Sequence, residues 1–312
     1  SRQFRPGADS SRNWHGRQVK MGSFVDRNGV TGERWEAPVV RRYPTGMRIG
    51  VIIAAAGHSS RYAAGLEFAR SKLDEDLGGK PVLQRTVELF TKHDLVGTII
   101  VAGPGEDAAF KEFQERYGDR MGLMGARLCA GGASQRYETV LRGLALVPDD
   151  CTHIAVHDAA RPCTSQELLD RLFGAVGRHR AVVPAIAVSD TVKRVIDTGE
   201  AMGGDEDVAA ILGETSESRK PLQVVNETLD RAGLVLVQTP QVFEASLLKR
   251  AYGQKNLAST DDAGLVERIG ERIVVVEGEA RNIKITLPAD LGLARAIMGF
   301  REPEGRPVHK RF

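Results

Sequence analysis

Arg61 and Lys72 follow the abrupt end of an apolar run, Ile49 to Ala56, that stops at Gly57. A guanidinium and an ammonium closing a Gly-led loop are groups that hold phosphate. The small residues Ala54, Ala55, Ala56 and Gly57 let a flat or phosphorylated ligand approach the backbone closely. The reading is a nucleotide site with Arg61 and Lys72 on its phosphates. An ordinary strand–loop connection with two solvated basic residues competes with it, since Gly-rich loops are common.

Further polar groups recur down the chain: Gly131-Gly132, Asp158 with Arg161, Thr191 with Lys193, and Lys284. Each falls at the carboxyl end of a predicted strand, and in an open α/β sheet those ends converge on one rim. Cations gathered there repel one another unless a polyanion sits among them. That points to phosphate, without saying which phosphate chemistry. Asp158 and Arg161 also fit a structural ion pair, and His157 fits a packed, hydrogen-bonded histidine.

The elements behind these groups alternate. Ile49 to Ala56 is short, β-branched at Val51, Ile52 and Ile53, and flanked by turn residues, which predicts a buried parallel strand. Lys80 to His93 puts Val82, Leu83, Val87, Leu89 and Phe90 near one helical face, with Pro81 suited to the first turn. Strands are predicted at 97–102, 126–130, 152–156 and 181–188, with helices at 107–117, 134–147 and 165–177 between them. The expected fold is α/β, a Rossmann-like, mostly parallel sheet with helices on both faces. The pattern breaks between Asp190 and Val237. There DTVKRVI and Pro221 to Leu229 read as exposed strands, and 197–220 as an insertion. Beyond it the pattern predicts a helix over 244–252, strands over 272–276 and 282–286, and a closing helix over 288–298. No internal repeat is evident.

With 312 residues the chain holds one large domain, or one with an appendage. The expected division is an extension over 1–46, a domain over 47–300 with 190–237 as an arm, and a tail over 301–312. The extension is rich in Arg, Gly, Ser and Asn and carries Trp14 and Trp35. It reads as disordered alone or as an arm packing on a surface. A net charge of +2 argues against a nucleic-acid surface. Cys129, Cys151 and Cys163 form no CxxC pair, which suits a reducing cytoplasm. No apolar run reaches the roughly 18 residues of a membrane span, and no secretory signal is expected at the start.

Taken together, the motifs resemble the 2-C-methyl-D-erythritol 4-phosphate cytidylyltransferase family of the non-mevalonate isoprenoid pathway. The matching pieces are AAG-xxx-R from Ala55 to Arg61, then Lys72, and GG-xxx-R-xx-T-V-xx-G-L from Gly131 to Leu144. HDAARP at 157–162, DTVKR at 190–194 and Arg231 before TPQ-x-F at 239–243 continue them. TDDA at 260–263 and NIKIT with P-x-DL from 282 to 291 complete the set. The resemblance covers roughly 48–298. It departs from the family at Ser59, Ser60 and Ser71, and at Leu73–Asp76, where three acids beside Lys72 are expected to lower the local positive potential.

The resemblance implies an enzyme that joins CTP to methylerythritol 4-phosphate, releasing pyrophosphate. It implies that Arg61 and Lys72 stabilise the five-coordinate α-phosphorus, while Arg231 and Lys284 hold the phosphate of the incoming alcohol. Cytosine would lie on Ala55, Ala56, Gly57, Gly131 and Gly132, with Thr139 keeping a hydroxyl for the base and Arg136 in the same motif. Asp158, Ala159 and Arg161 would meet the sugar or the second substrate, which Thr191 and Thr260 would also contact. A Mg²⁺ carried mainly by the triphosphate is implied, with no protein metal cage. So is a homodimer whose arm, Asp190 to Arg231, brings Arg231 into the neighbour's site. Two other readings stay open: a cytidylyltransferase for another polyol phosphate such as ribitol 5-phosphate, and a non-catalytic nucleotide-binding regulator.

Overall fold

The structure, a computed structural model, describes residues 21–25, 31–35, 43–57, 62, 71–201 and 221–300. The chain divides into two units, 1–43 and 44–312. In the first, β1 (Met21–Val25) pairs antiparallel with β2 (Thr31–Trp35), Met21 opposite Trp35 and Val25 opposite Thr31. The insertion beyond Ala201, up to Lys220, and the tail over 301–312 lie outside the described residues.

In the second unit the first strand, β3 (Ile49–Ala54), lies at the centre. Helix α1 (Val82–Thr91) leads to β4 (Val96–Gly103), and α2 (Asp107–Leu123) leads to β5 (Ala126–Ala130). These strands add in parallel on one side of β3. After α3 (Arg136–Leu144) the chain crosses to the other side, where β6 (His153–Asp158) also pairs parallel with β3. The strand order thus reverses between β3 and β6, opening a crevice at their carboxyl ends.

Beyond β6, α4 (Gln166–Val176) precedes β7 (Ala181–Ala187). One edge of β7 takes β10 (Val235–Val237) and β11 (Gln241–Glu244), both antiparallel, and its other edge takes β12 (Val274–Glu277) in parallel. β11 also pairs with β6, closing the sheet. Helices α5 (Ala245–Tyr252), α6 (Asp262–Arg268) and α7 (Pro288–Met298) complete this unit. Between β7 and β10 the chain runs out into an antiparallel pair, β8 (Lys193–Ala201) and β9 (Pro221–Thr228), with Val195, Ile196, Val224 and Val225 exposed.

Side-chain alternation explains the two layers. Ile52, Ile100, Ile154 and Val156 point to a face covered by Val140 and Leu144 of α3, Leu247 and Leu248 of α5 and Val266 of α6. The neighbouring strand positions face the other way, where Phe90 of α1 lies edge-on to His157 at 5.1 Å. The close approach of α3 to β3 needs Gly143, since a Cβ there would sit 2.6 Å from the Ile52 side chain.

Two sequence expectations are corrected. Residues 282–286 form no strand. Their polar groups bond elsewhere: the Asn282 carbonyl accepts from Arg161 Nη1 at 2.7 Å, and Ile285 N donates to Ala160 O at 2.8 Å. Helix α2 does not end at Tyr117 but continues to Leu123, because Phe113, Tyr117 and Met121 repeat at i, i+4 and i+8 on its buried face.

Candidate active site

The crevice between β3 and β6 is a cleft of about 190 Å³. Its floor is the backbone of Ala54 to Gly57 and of Asp158 to Ala160. Its far wall is the turn from Gly132 into α3, and Lys72, Arg136 and Lys284 reach it from three separate stretches. Two short contacts hold the floor together: Ala55 N donates to Ala102 O, and Ala159 N to Ala54 O. Gly131 must be glycine, because a Cβ would lie 2.3 Å from the Gly103 carbonyl oxygen. Glu138 shapes the turn above by accepting from the N–H groups of Ser134 and Gln135. Those bonds hold its carboxyl below the usual range. Thr139 is buried, and its hydroxyl accepts from Gly132 N at 3.1 Å, fixing the same turn.

Asp158 is the electrostatic centre. Its Oδ2 lies 2.9 Å from Lys284 Nζ and 3.4 Å from Arg161 Nε, and its Oδ1 lies 3.4 Å from Arg136 Nε. Burial would raise this carboxyl. The charges of Arg136, Lys284 and Arg161 more than reverse that and hold it well below the carboxylate range. Asp262, with a fully buried side chain, takes Arg136 Nη1 at 2.8 Å and the Tyr252 hydroxyl at 2.6 Å. Burial opposes the Arg136 charge, but Asp262 and then Asp158 raise its pKa overall. Its Nη2 is buried with no hydrogen-bond partner among the described residues. The rim cations are therefore largely matched by two carboxylates. Their mutual repulsion alone demands less of a ligand than the sequence suggested.

His157 is fully buried, and burial pushes its pKa down to about 4. Its Nε2 meets the Arg161 carbonyl at 3.2 Å, so that nitrogen carries the proton. Nδ1 then accepts from Thr239 Oγ1 at 3.1 Å, and Thr239 Oγ1 accepts from Asp158 N at 3.1 Å. A neutral histidine thus braces the Asp158 loop from behind.

The three acids beside Lys72 turn away from the cleft. Asp74 takes Tyr117 and Arg116 of α2, and Asp76 accepts from Gly79 N at 3.3 Å. Glu75 bonds Tyr62, whose hydroxyl burial and Glu75 push up to about 12. Their charge is engaged elsewhere, contrary to the expectation that they depress the potential at the lysine.

The structure thus gathers Ala55, Ala56, Gly57, Lys72, Gly132, Arg136, Thr139, Asp158, Ala159 and Lys284 around one cleft. Gly131 and Arg161 pack directly behind it. Thr191, Thr260 and Arg231 are exposed and are not among the residues lining it. Lys193, expected at the rim, instead lies in β8 with its Nζ 2.5 Å from Thr228 Oγ1. Arg231 donates to the Ser189 carbonyl at the base of the β8–β9 pair. Arg61 lies outside the described residues. No group of three or more His, Cys, Asp or Glu side chains able to hold a metal occurs among the described residues.

Asp262 was not singled out from the sequence, where TDDA entered only as part of the resemblance; it opens α6 just after the N-cap. The cap is Asp261, whose Oδ1 accepts from Gly264 N at 3.0 Å. The signal lay in the spacing: Asp262 shares the i, i+3, i+4 face of Leu265 and Val266, so it had to point into the core.

The model of the family 2-C-methyl-D-erythritol 4-phosphate cytidylyltransferase matches residues 49–213 and 208–300. The chain belongs to this family. A relative of that name from Frankia casuarinae is 37% identical over 261 residues, spanning 82% of this chain and 83% of its own length. One from Bacteroides thetaiotaomicron is 34% identical over 253 residues, spanning 81% of this chain and all of its own. Among solved structures, the 4-diphosphocytidyl-2C-methyl-D-erythritol synthase of Anaerococcus prevotii superposes with a TM-score of 0.60 at 26% identity. It covers 81% of this chain and 99% of that one. The Thermus thermophilus cytidylyltransferase gives 0.56 at 30% identity, over 80% and 98%. The matched residues include β3, β6 and the residues that line the cleft between them.

Proposed function

We propose that this chain transfers the cytidylyl group of CTP to 2-C-methyl-D-erythritol 4-phosphate, giving the CDP-alcohol and pyrophosphate. The observation that carries this reading is the convergence of Lys72, Arg136 and Lys284 on one small-residue cleft in a member of this family.

The nucleophile is a phosphate monoester oxygen, already anionic at neutral pH, so no general base is required. The difficulty is repulsion. Two unit charges about 4 Å apart repel by roughly 4 kcal/mol at an effective dielectric of about 20. Fixed cations must offset that as charge builds on the five-coordinate phosphorus. Lys72, with Arg61, takes the α-phosphate. Lys284 swings between Asp158 and the phosphate of the incoming alcohol. Ala55 to Gly57 and the Gly131–Gly132 turn receive the cytidine, with Thr139 and Arg136 holding the turn and the loop beneath. Asp158, Ala159 and Arg161 form the floor under the sugar and the second substrate.

The second copy in a homodimer supplies Arg231, with Thr191 and Thr260 toward the methylerythritol. The exposed Val195, Ile196, Val224 and Val225 on the β8–β9 pair support such a partner. A divalent ion, Mg²⁺, fits as an ion carried by the triphosphate and water, because Asp158, the carboxylate lining the cleft, already has three cationic partners. Bound there, it would supply positive charge that offsets the triphosphate's own. Three free cysteines suit a cytoplasmic setting, and no helix of the described residues is long and apolar enough to cross a membrane.

The test is pyrophosphate release with CTP, Mg²⁺ and methylerythritol phosphate, with Lys284→Ala alongside. Release that needs both substrates and falls by about a hundredfold in the variant is expected. Release no greater than in Lys284→Ala, or a preference for ribitol 5-phosphate, overturns the assignment.

A further inference from the structure

We propose that Asp74 is a positioning residue for Lys72, latching the turn that carries this lysine onto helix α2 through the Tyr117 hydroxyl. The inference rests on the reading above in one respect, that Lys72 acts on the nucleotide.

Lys72 and Leu73 line the cleft, and Asp74 leaves the same turn on its outer side. The turn is tight: Ser71 Oγ accepts from Leu73 N at 3.3 Å, and Asp74 N donates to Ser71 O at 3.0 Å. Downstream, backbone groups pin the chain. Leu83 N donates to Leu73 O and Val82 N to Glu75 O, while Arg85 Nε reaches Leu77 O at 2.7 Å and Arg295 reaches Asp76 O at 2.9 Å. Buried Leu73 and Leu77 fix the depth of the loop. What ties its lysine-bearing end sideways to α2 is the Asp74 carboxylate, held by Tyr117 and Arg116.

Tyr117 is the stronger of those two ties. It is 2% exposed and packs against Phe113 at 5.0 Å between ring centres. Burial, then the Asp74 carboxylate, pushes its hydroxyl far above the ordinary range, so it remains a proton donor. Without Asp74 that buried hydroxyl loses its acceptor. Arg116 is half exposed, where an ion pair contributes little. A rigid ring, rooted in the core of α2, thus fixes a point two residues from the catalytic ammonium. Displacements of about 1 Å at such a group change rates by as much as about a hundredfold.

The experiment uses the full chain with Asp74→Ala, Asp74→Asn and Tyr117→Phe, each also combined with Lys72→Ala, and exposed Glu115→Ala of α2 as a charge control. For Asp74→Ala we expect kcat to fall about tenfold with KM for CTP within about threefold. Asp74→Asn keeps an acceptor for Tyr117 and stays within about threefold in kcat; it also serves if the alanine variant does not fold. In the Lys72→Ala background the same change costs under about twofold, because its effect passes through the lysine. Independently of turnover, acylation of Lys72 by an amine-selective reagent, read by mass spectrometry, becomes several-fold faster in Asp74→Ala. Equal losses with and without Lys72, or an unchanged labelling rate, overturn the latch. A wild-type protein without turnover overturns the cytidylyl-transfer reading instead, and the labelling comparison still decides this one.

Discussion

Asp262→Ala is expected to destabilise the protein severely, because it removes one carboxylate from a buried three-residue set. Asp262 is 0% exposed and accepts from Arg136 Nη1 at 2.8 Å and from Tyr252 at 2.6 Å. Stripping one partner from a buried ion pair costs about 3–5 kcal/mol. The Arg136 side chain is 26% exposed and regains some water, so the lower end applies. The Tyr252 hydroxyl adds about 1 kcal/mol as an unpaired buried donor. The sum, about 4 kcal/mol, is a large share of the roughly 5–15 kcal/mol that holds a folded protein. At about 2–4 °C per kcal/mol for a domain of this size it lowers Tm by roughly 10 °C. Urea unfolding and thermal melting measure it, with Leu265→Ala, a fully buried neighbour on α6, as the yardstick for a loss of about 2–5 kcal/mol. Should Asp262→Ala lie within about 1 kcal/mol of wild type while Leu265→Ala shows its full loss, the buried-pair reasoning fails. Surviving Asp262→Ala protein should also show a higher KM for CTP, since Arg136 is then held from one side only.

His157 makes stability depend on pH. Its folded pKa, about 4, lies below the unfolded value of 6.5, so the unfolded chain binds the extra proton between them. Stability is full above 6.5, falls by about 3 kcal/mol as pH drops toward 4, and is measured by urea midpoints across that range; a flat profile in wild type, or an equal slope in His157→Gln, contradicts the assignment. Asp158, held low by its three cations, adds a loss below about pH 4 in the same direction. Mixing Arg231→Ala with Arg61→Ala subunits should restore part of the activity each lacks alone, and verified mixed dimers that stay inactive rule out a role for Arg231 in trans. Gly131→Ala, forced against the Gly103 carbonyl, should raise KM for CTP about tenfold or more while the variant remains folded.

Much of the architecture was legible in the chain because local chemistry sets it. The β-branched run at Val51 to Ile53, the Ala-Ala-Gly stop and the alternation of strands with helices are consequences of side-chain shape and period, and each appears where the residues predict. The motif residues Ala55 to Gly57 and Asp158 were legible for the same reason, as small or charged groups at strand ends; Lys72 and Lys284 reach the cleft from a turn and a loop instead. Their pairings were not. That Asp158 is shared by Arg136, Arg161 and Lys284 depends on strand order and on a loop from residue 282 folding back over β6. No spacing in the sequence encodes that. Residues 282–286 read as a strand by composition but form none: the Asn282 carbonyl accepts from the side chains of Arg161 and Gln238, and Ile285 N donates to Ala160 O. The sequence by itself determined the chemistry on offer: cations and small residues on the loops of an α/β sheet. Tertiary structure alone decided how those charges are balanced, because Coulomb energies depend on distances that only the packed chain sets.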